Sequence, residues 1–310
     1  MVRTTVGGRH VVTTSAVGKL QLGDHVCAFV DGLDDGLDLM ARTVAAGLDA
    51  GDRVMVFTAA LPPVAVLAGL EARGVAIPPA GRGGQVQVLS AQEAYLPAGR
   101  FEPRRTLESQ AGHIEQARAD GYAGLRLVGD MAWARGEQAG VEQLTAYEAQ
   151  VNQLYLDGRA MGVCLYDRSA FGSDLLRQVA YAHPAMTGAG ADRVPLLRIR
   201  RTTEPYGLRL AGEADFSNRL ALASALDAVA EQQPEPAETI LVNVADLRFL
   251  DAGTAALLGR LALRAPAGVH ISAPQRAVER VLDHLGVLQL PKTRLTRAGD
   301  IDSPGTEKVA

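Results

Sequence analysis

GDHVCAFVDGLDDGLDLMARTVAAGLDAGDRVMVFT, residues 23–58, decides the fold class. HVCAFV (His25–Val30) is a short apolar run of strand length. In the segment that follows, Leu37, Met40, Val44 and Leu48 recur at spacings of three and four. That spacing predicts a helix, which Gly51 stops. RVMVFT (Arg53–Thr58) is a second strand. A strand, a helix and a strand in this order predict a parallel sheet covered by helices.

The rhythm continues outward. VAVLAGLEARGV is a helix, QVQVLS (Gln85–Ser90) a strand, and Thr106 to Asp120 a polar-faced helix. LRLVGDMAW (Leu125–Trp133) is a strand, Val141 to Leu156 a helix, AMGVCLYD (Ala160–Asp167) a strand and LLRQVAYAH a helix. Gly-rich TGAGADRVP (Thr187–Pro195) breaks the pattern and marks a domain boundary. Beyond it, Leu196–Asn218 reads as two strands and a turn, and ALASALDAVAEQ as a helix. Then come the strand TILVNVADLRFLD, the helix AGTAALLGRLALRA, the strand VHISAP and a closing helix, AVERVLDHLGV. The expected division is a tail at 1–19, an α/β domain at 20–190, a smaller α/β domain at 195–293 and a tail at 294–310.

The chain has 310 residues, which suits two domains with cores of their own. Lys and Arg number 31 against 35 Asp and Glu, a net charge of −4, which argues against nucleic acid as the main partner. Cys27 and Cys164, far apart, are no disulfide framework. No apolar run reaches the length of a membrane span, and the N-terminus lacks the apolar stretch of a signal peptide. The expectation is a soluble cytoplasmic protein that touches neither membrane nor DNA.

Residues Leu196–Leu290 resemble a STAS domain, the fold of anti-anti-sigma factors, through LAGEADFSN (Leu210–Asn218), ILVNVADLRFLDAGTAALL (Ile240–Leu258) and VERVLDHLGV. The resemblance implies binding to an anti-sigma factor or a serine kinase-like regulator, with Asp215, Asp251, Gly253 and Thr254 on the partner face. Asp251 also fits a plain helix cap, and Asp215 a turn-forming Asx. In the family a Ser or Thr two residues after the Asp251 position is phosphorylated. Here Gly253 stands at that place and cannot take a phosphate. Either the domain is not switched by phosphate, the preferred reading, or Thr254 is the acceptor.

Residues Leu22–Pro184 resemble the MEDS (methanogen/methylotroph sensory) domain. The blocks that carry this are GDHVCAFVD, AQEAYLPAGRFEP (Ala91–Pro103), LRLVGDMAWA (Leu125–Ala134), LTAYEAQVN (Leu144–Asn152), VCLYDRSAF (Val163–Phe171) and AHP (Ala182–Pro184). The resemblance implies small-molecule sensing coupled to an output domain. The same segment reads as a degenerate RecA/KaiC-like ATPase domain. Gly32 and Gly36 sit where a phosphate-binding loop would lie, but Leu37 and Asp38 stand near its Lys and Ser/Thr, and Asp31, Asp34 and Asp35 would repel a triphosphate.

Open α/β sheets bind ligands at the carboxyl ends of their strands. That places His25, Cys27, Asp31, Glu93, Tyr95, Asp130, Trp133, Tyr166 and Asp167 as candidate contacts for a small organic ligand. Trp133 fits equally as a core residue whose N–H finds a carboxylate. His25, Cys27, Cys164 and His183 could together hold a metal or a redox centre, or be buried structural groups. Without zinc-finger spacing, the expectation is no metal and no cofactor beyond an unidentified small molecule.

No nucleophile elbow, HExxH or defensible Ser–His–Asp order appears. The sequence therefore reads as a non-enzymatic signalling regulator. The alternatives are a small-molecule or nucleotide-binding protein with residual enzymatic activity, and an assembly module in which both domains form homo-oligomers.

Overall fold

The computed structural model describes residues 20–79, 84–136, 138–188, 197–298 and 308–309. The expected N-terminal tail and most of the Gly-rich boundary lie outside them. Among the described residues the strands fall into two six-stranded sheets.

The first sheet is wholly parallel. It contains β1 (His25–Val30), β2 (Arg53–Thr58), β3 (Val86–Ser90), β4 (Leu125–Asp130), β5 (Ala160–Asp167) and β6 (Ala185–Gly188), in the order β3-β2-β4-β5-β1-β6. Every residue of β2 and β4 is buried, as expected for strands covered on both faces. Alternate residues feed two cores. Val26, Ala28, Val54, Val56, Val163 and Leu165 pack with Met40 and Val44 of α1 (Leu33–Ala50) and Val66 and Leu70 of α2 (Pro63–Glu71). Cys27, Met55, Phe57, Leu127, Cys164 and Tyr166 face the opposite layer. That layer is built from α3 (Ala91–Tyr95), α4 (Pro103–Ala119), α5 (Leu144–Gln150) and α6 (Ser173–Ala182).

Three local outcomes differ from the sequence reading. The strand expected to run to Trp133 ends at Asp130 and turns into a 3₁₀ segment, Met131–Arg135. The helix expected over 141–156 is one α-helical stretch between two 3₁₀ turns, Val141–Gln143 and Val151–Tyr155. Residues 185–188, which reach into the Gly-rich stretch expected to break the pattern, form the edge strand β6 beside β1.

The second sheet is mixed, in the order β11-β10-β9-β8-β7-β12. Its strands are β7 (Arg198–Glu204), β8 (Tyr206–Ala214), β9 (Ile240–Leu250), β10 (Val269–Ser272), β11 (Thr293–Thr296) and β12 (Lys308–Val309). Residues 294–296, expected in the C-terminal tail, thus belong to an edge strand that pairs with β10. Helices α7 (Arg219–Glu231), α8 (Ala252–Arg264) and α9 (Arg276–His284) supply Leu222, Leu226, Leu258, Val278 and Leu282 to one core with Leu208, Leu210, Val242 and Val244. Among the described residues no helix is long and apolar enough to cross a membrane.

The two domains share a polar seam. Asp24, buried just before β1, accepts from Arg198 Nε at 3.2 Å and from Arg200 Nη2 at 2.9 Å, both from β7. Arg200 also donates to the Leu22 and Gly23 carbonyls. Leu156 lies in the core of the second domain, and α7 packs on α5, α6 and the Val151–Tyr155 turn.

Candidate functional site

Strand β1 begins with His25, which pairs in register with Gly162 of β5. Side chains two apart on neighbouring parallel strands share a face, so His25 and Cys164 point into the same helical layer. Gly162 makes the room: a Cβ there would lie 2.6 Å from the Tyr155 hydroxyl and 3.0 Å from the His25 ring. From that layer α5 contributes Glu148, and the end of α6 delivers His183. Glu148 follows Leu144 and Tyr147 and precedes Val151 on the buried side of its helix, a carboxylate within an apolar stripe.

Four donor atoms converge there. His25 Nε2 lies 3.4 Å from Cys164 Sγ and 3.6 Å from Glu148 Oε2. His183 Nε2 is 3.5 Å from the same oxygen, and Cys164 Sγ 3.6 Å from it. All four atoms lie within 4.8 Å of one another. Glu148 and His183 are 0–1% exposed and Cys164 9%. Tyr166 Oη donates to Glu148 Oε1 at 2.6 Å.

The outer partners fix the imidazoles. Asn152 Nδ2 donates to the Glu148, Ala149 and Ala182 carbonyls, which turns its Oδ1 toward His25 Nδ1 at 2.9 Å. His183 Nδ1 donates to the Val179 carbonyl at 2.7 Å. Both Nδ1 atoms therefore carry the proton, and both Nε2 lone pairs point at the carboxyl group. His183 Nε2 is buried and makes no hydrogen bond.

Burial sets the protonation states. It pushes Glu148 up to about 7, against hydrogen bonds from Tyr166 and Cys164 that favour the carboxylate. Burial lowers His183 to about 4, with the Val179 carbonyl opposing. His25 is held well below the ordinary imidazole value by burial and then by His183. The Cys164 thiol is pushed up by burial first and then by Glu148. Near neutral pH the imidazoles and the thiol are neutral, and the Glu148 carboxyl is part protonated and part ionised.

Of the residues expected at the strand ends, the cluster takes in His25 and, through its hydroxyl, Tyr166. Cys27 is fully buried on the same face beside Cys164, but its sulfur is not among the four converging atoms. The others lie elsewhere. Tyr95 stacks on Trp133 with ring centroids 4.8 Å apart, and Phe101 and Tyr147 complete an aromatic core. Trp133 Nε1 finds no carboxylate. Asp130 accepts from the backbone N–H groups of Ala59, Ala60 and Ala132. Asp31 is exposed and pairs with Arg168, Glu93 is exposed on α3, and Asp167 accepts from Ser169. A cavity of about 230 Å³ opens at the strand ends against α1, lined by Gly32, Gly36, Leu37, Thr58, Asp130 and Asp167 among others. The N-cap of the helix after this loop is Gly32, and Asp35 reaches back from its first turn to accept from Asp31 N at 3.1 Å. Asp34 and Asp38 instead hold Arg73.

A family model described as the MEthanogen/methylotroph, DcmR Sensory domain matches residues 24–184, which includes all four converging side chains. The chain belongs to the MEDS family. A second model, described as Mlab, STAS domain, matches residues 197–292. No curated protein matches the chain. Among solved structures the flagellar accessory protein FlaH from Methanocaldococcus jannaschii matches at 8% identity and a TM-score of 0.41, over 57% of this chain and 77% of that one. A KaiC-like protein from Pyrococcus horikoshii OT3 matches at 10% identity and a TM-score of 0.37, over 61% and 78%.

Sequence reasoning missed two members of the MEDS-domain site, Glu148 and Asn152. Their signal was present: both lie in LTAYEAQVN, four residues apart on the buried side of α5 and the turn after it. In the STAS-matching domain, Asp251 is the N-cap of α8. Its Oδ1 accepts from Thr254 N at 2.7 Å and its Oδ2 from Arg219 at 2.6 Å. A Cβ on Gly253 would strike the Arg219 guanidinium, so the glycine leaves the place for that cation. Thr254 is wholly buried and out of reach of a kinase in this conformation. Asp215 makes the turn: its Oδ1 accepts from Ser217 N and Oγ.

Proposed function

We propose that this protein is a non-enzymatic signalling regulator in which the buried MEDS cluster sets the disposition of the STAS domain, which in turn binds an anti-sigma-type protein. One observation carries the reading: the elements that bear the cluster are the elements that hold the second domain. His25 follows Asp24, which binds Arg198 and Arg200 of β7. Glu148 lies on α5, which packs against α7. His183 precedes Pro184, whose carbonyl accepts from Leu197 N. A change in charge or spacing within the cluster has three short routes to the output domain. A ligand acts along them only if it binds the two arrangements with different affinity.

The partner face is supported by exposed apolar groups. Ala214 and Leu250 are register partners, so the β8 and β9 ends lie side by side. Phe216, Leu220 and Phe249 stand exposed at that end, around Asp215 and Asp251. Exposed aromatics beside charged groups fit a protein partner. The reading is non-catalytic because the strand-end cavity presents Leu37 where a phosphate-binding loop needs its Lys.

The test is amide hydrogen exchange on the full chain, native and Asp24→Ala. Removing a buried carboxylate that neutralises two arginines should cost about 3 kcal/mol, and exchange in β7 and α7 should rise. It should also weaken the response of β7 to perturbations at Glu148, leaving the direct α5–α7 route in place. If Glu148→Gln leaves β7 and α7 exchange unchanged in the native background, the coupling is overturned. Affinity capture with the full chain tests the partner: recovery of no anti-sigma or kinase-like protein overturns that part.

A further inference from the structure

We propose that His25, Glu148, Cys164 and His183 form a tetrahedral site for one divalent transition metal ion of the zinc type. The inference deepens the reading above, since it names what the sensory cluster takes.

The donors favour such an ion by kind. Two imidazole nitrogens, a thiolate sulfur and a carboxylate oxygen are ligands of zinc and its neighbours in the transition series. Magnesium and calcium demand all-oxygen shells. The spacing also fits. Ligand bonds of about 2.0–2.3 Å at tetrahedral angles put neighbouring donors roughly 3.3–3.6 Å apart. Four of the pairwise distances here are 3.4, 3.5, 3.6 and 3.6 Å.

The outer shell is built for the same task. Each imidazole has its Nδ1–H held by an oxygen, Asn152 Oδ1 for His25 and the Val179 carbonyl for His183. Metal-binding histidines are fixed in this way. The second carboxylate oxygen is held by Tyr166. His183 Nε2, buried and without a hydrogen bond, is a lone pair aimed into the centre.

Charge settles the balance. Two neutral imidazoles, one carboxylate, one thiolate and a dication sum to zero, so the filled site puts no net charge into the core. Filling it forms two metal–nitrogen bonds, one metal–sulfur and one metal–oxygen bond. It breaks the Cys164 S–H bond and, in the fraction where it is protonated, the Glu148 O–H bond. Those protons leave to solvent. No electron moves.

The experiment uses the full chain, reduced, stripped with chelator and titrated anaerobically with Co²⁺. One equivalent should bind with intense tetrahedral d–d bands and a near-ultraviolet thiolate-to-cobalt band. More than one proton should be released per metal at pH 7, and Zn²⁺ should displace the cobalt. Cys164→Ser should abolish the thiolate band and weaken binding a hundredfold or more, by about the upper end of what even outer-shell changes do. Glu148→Gln should weaken binding while keeping the band. Cys27→Ser, adjacent and also buried, should change neither.

A folded native protein that takes up no Co²⁺ overturns the site. So does a thiolate band lost in Cys27→Ser and kept in Cys164→Ser. Hydrogen exchange in β7, read with and without Zn²⁺, separates the two claims. Metal bound with no change in β7 keeps the site and overturns the coupling. No metal bound, with Glu148→Gln still altering β7, does the reverse.

Discussion

At the carboxyl ends of β1, β4 and β5, on the α1 side of the first sheet, a cavity of about 230 Å³ opens to solvent. On the opposite face of β1 and β5, His25, Glu148, Cys164 and His183 are packed shut between the sheet and α5–α6. In the open region both carboxylates are already occupied. Asp130 holds three backbone N–H groups, and Asp167 holds Ser169. The closed region is the reverse. It has no exposed surface to speak of, yet two imidazole lone pairs, a thiol and a carboxyl group meet there with one nitrogen lacking any hydrogen bond. A buried polar atom without a partner is costly, and this one lies with three other donor atoms within 4.8 Å. In this fold converging donors, rather than empty space, mark the candidate site.

The largest effect that tests this contrast is electrostatic. In the metal-free protein the folded Glu148 titrates at about 7, above its ordinary 4.5, because burial disfavours the carboxylate. The folded carboxyl keeps its proton where the unfolded one has lost it. Its contribution to stability is therefore full below about pH 4.5 and is lost as pH rises through about 7. Glu148→Gln imitates the protonated form at every pH. Chelator-treated Glu148→Gln should match the native protein near pH 4.5 and exceed it above pH 7 by on the order of 3 kcal/mol. Urea unfolding followed by fluorescence of Trp133, the single tryptophan, reads the MEDS domain alone. A difference that does not change with pH would remove Glu148 from the titrating centre.

Much of the fold was legible because its signals are local. β1, β2 and β5 run as their apolar stretches read, and α7 and α8 follow their periodicity to within two residues. Pieces whose shape depends on neighbours were not legible. Residues 185–188 are a strand because β1 offers an open edge. The 141–156 segment breaks into turns where Asn152 spends its amide on three carbonyls. The site divides in the same way. His25, Cys164 and His183 stood out as rare residue types, whereas Glu148 looked like any helical carboxylate until its burial was known. Whether His25 and Cys164 meet depends on strand order, and β5 lies beside β1 only because the connection from β1 to β2 spans two strand positions, which β4 and β5 fill. The strand-end expectation for Asp31 and Glu93 failed to bring them to a common site, since ending a strand does not aim a side chain.

A pair of glycine substitutions sharpens the comparison at somewhat smaller scale. Gly162→Ala pushes a methyl toward the Tyr155 hydroxyl and the His25 ring, both held in the packed layer. Overpacking of this kind costs about 1–3 kcal/mol. Gly36→Ala places its methyl in α1 beside the cavity, where the nearest atom is Val30 Cγ2 at 3.9 Å. A helical Gly replaced by Ala without a clash gains about 0.5–1 kcal/mol. The two variants should therefore shift the Trp133 unfolding midpoint in opposite directions. Equal losses would mean that the cavity is as tightly constrained as the cluster, and the contrast would fall.

The remaining test falls on Asp130, one of the residues that its strand-end position offered as a ligand contact. Its two oxygens accept from Ala59, Ala60 and Ala132 at 2.7–3.0 Å, which leaves it a structural tie between the β2 and β4 ends. Asp130→Asn keeps one acceptor and turns an amide N–H₂ against the remaining donors. With hydrogen bonds to a charged group worth about 1.5–3 kcal/mol and part of the set retained, the loss should be about 1–2 kcal/mol. Uptake of Co²⁺ and its thiolate band should be unchanged, because Asp130 touches none of the four donors. If instead Asp130→Asn leaves stability alone and alters what the protein binds, the open end of the sheet is the site and the buried cluster is core.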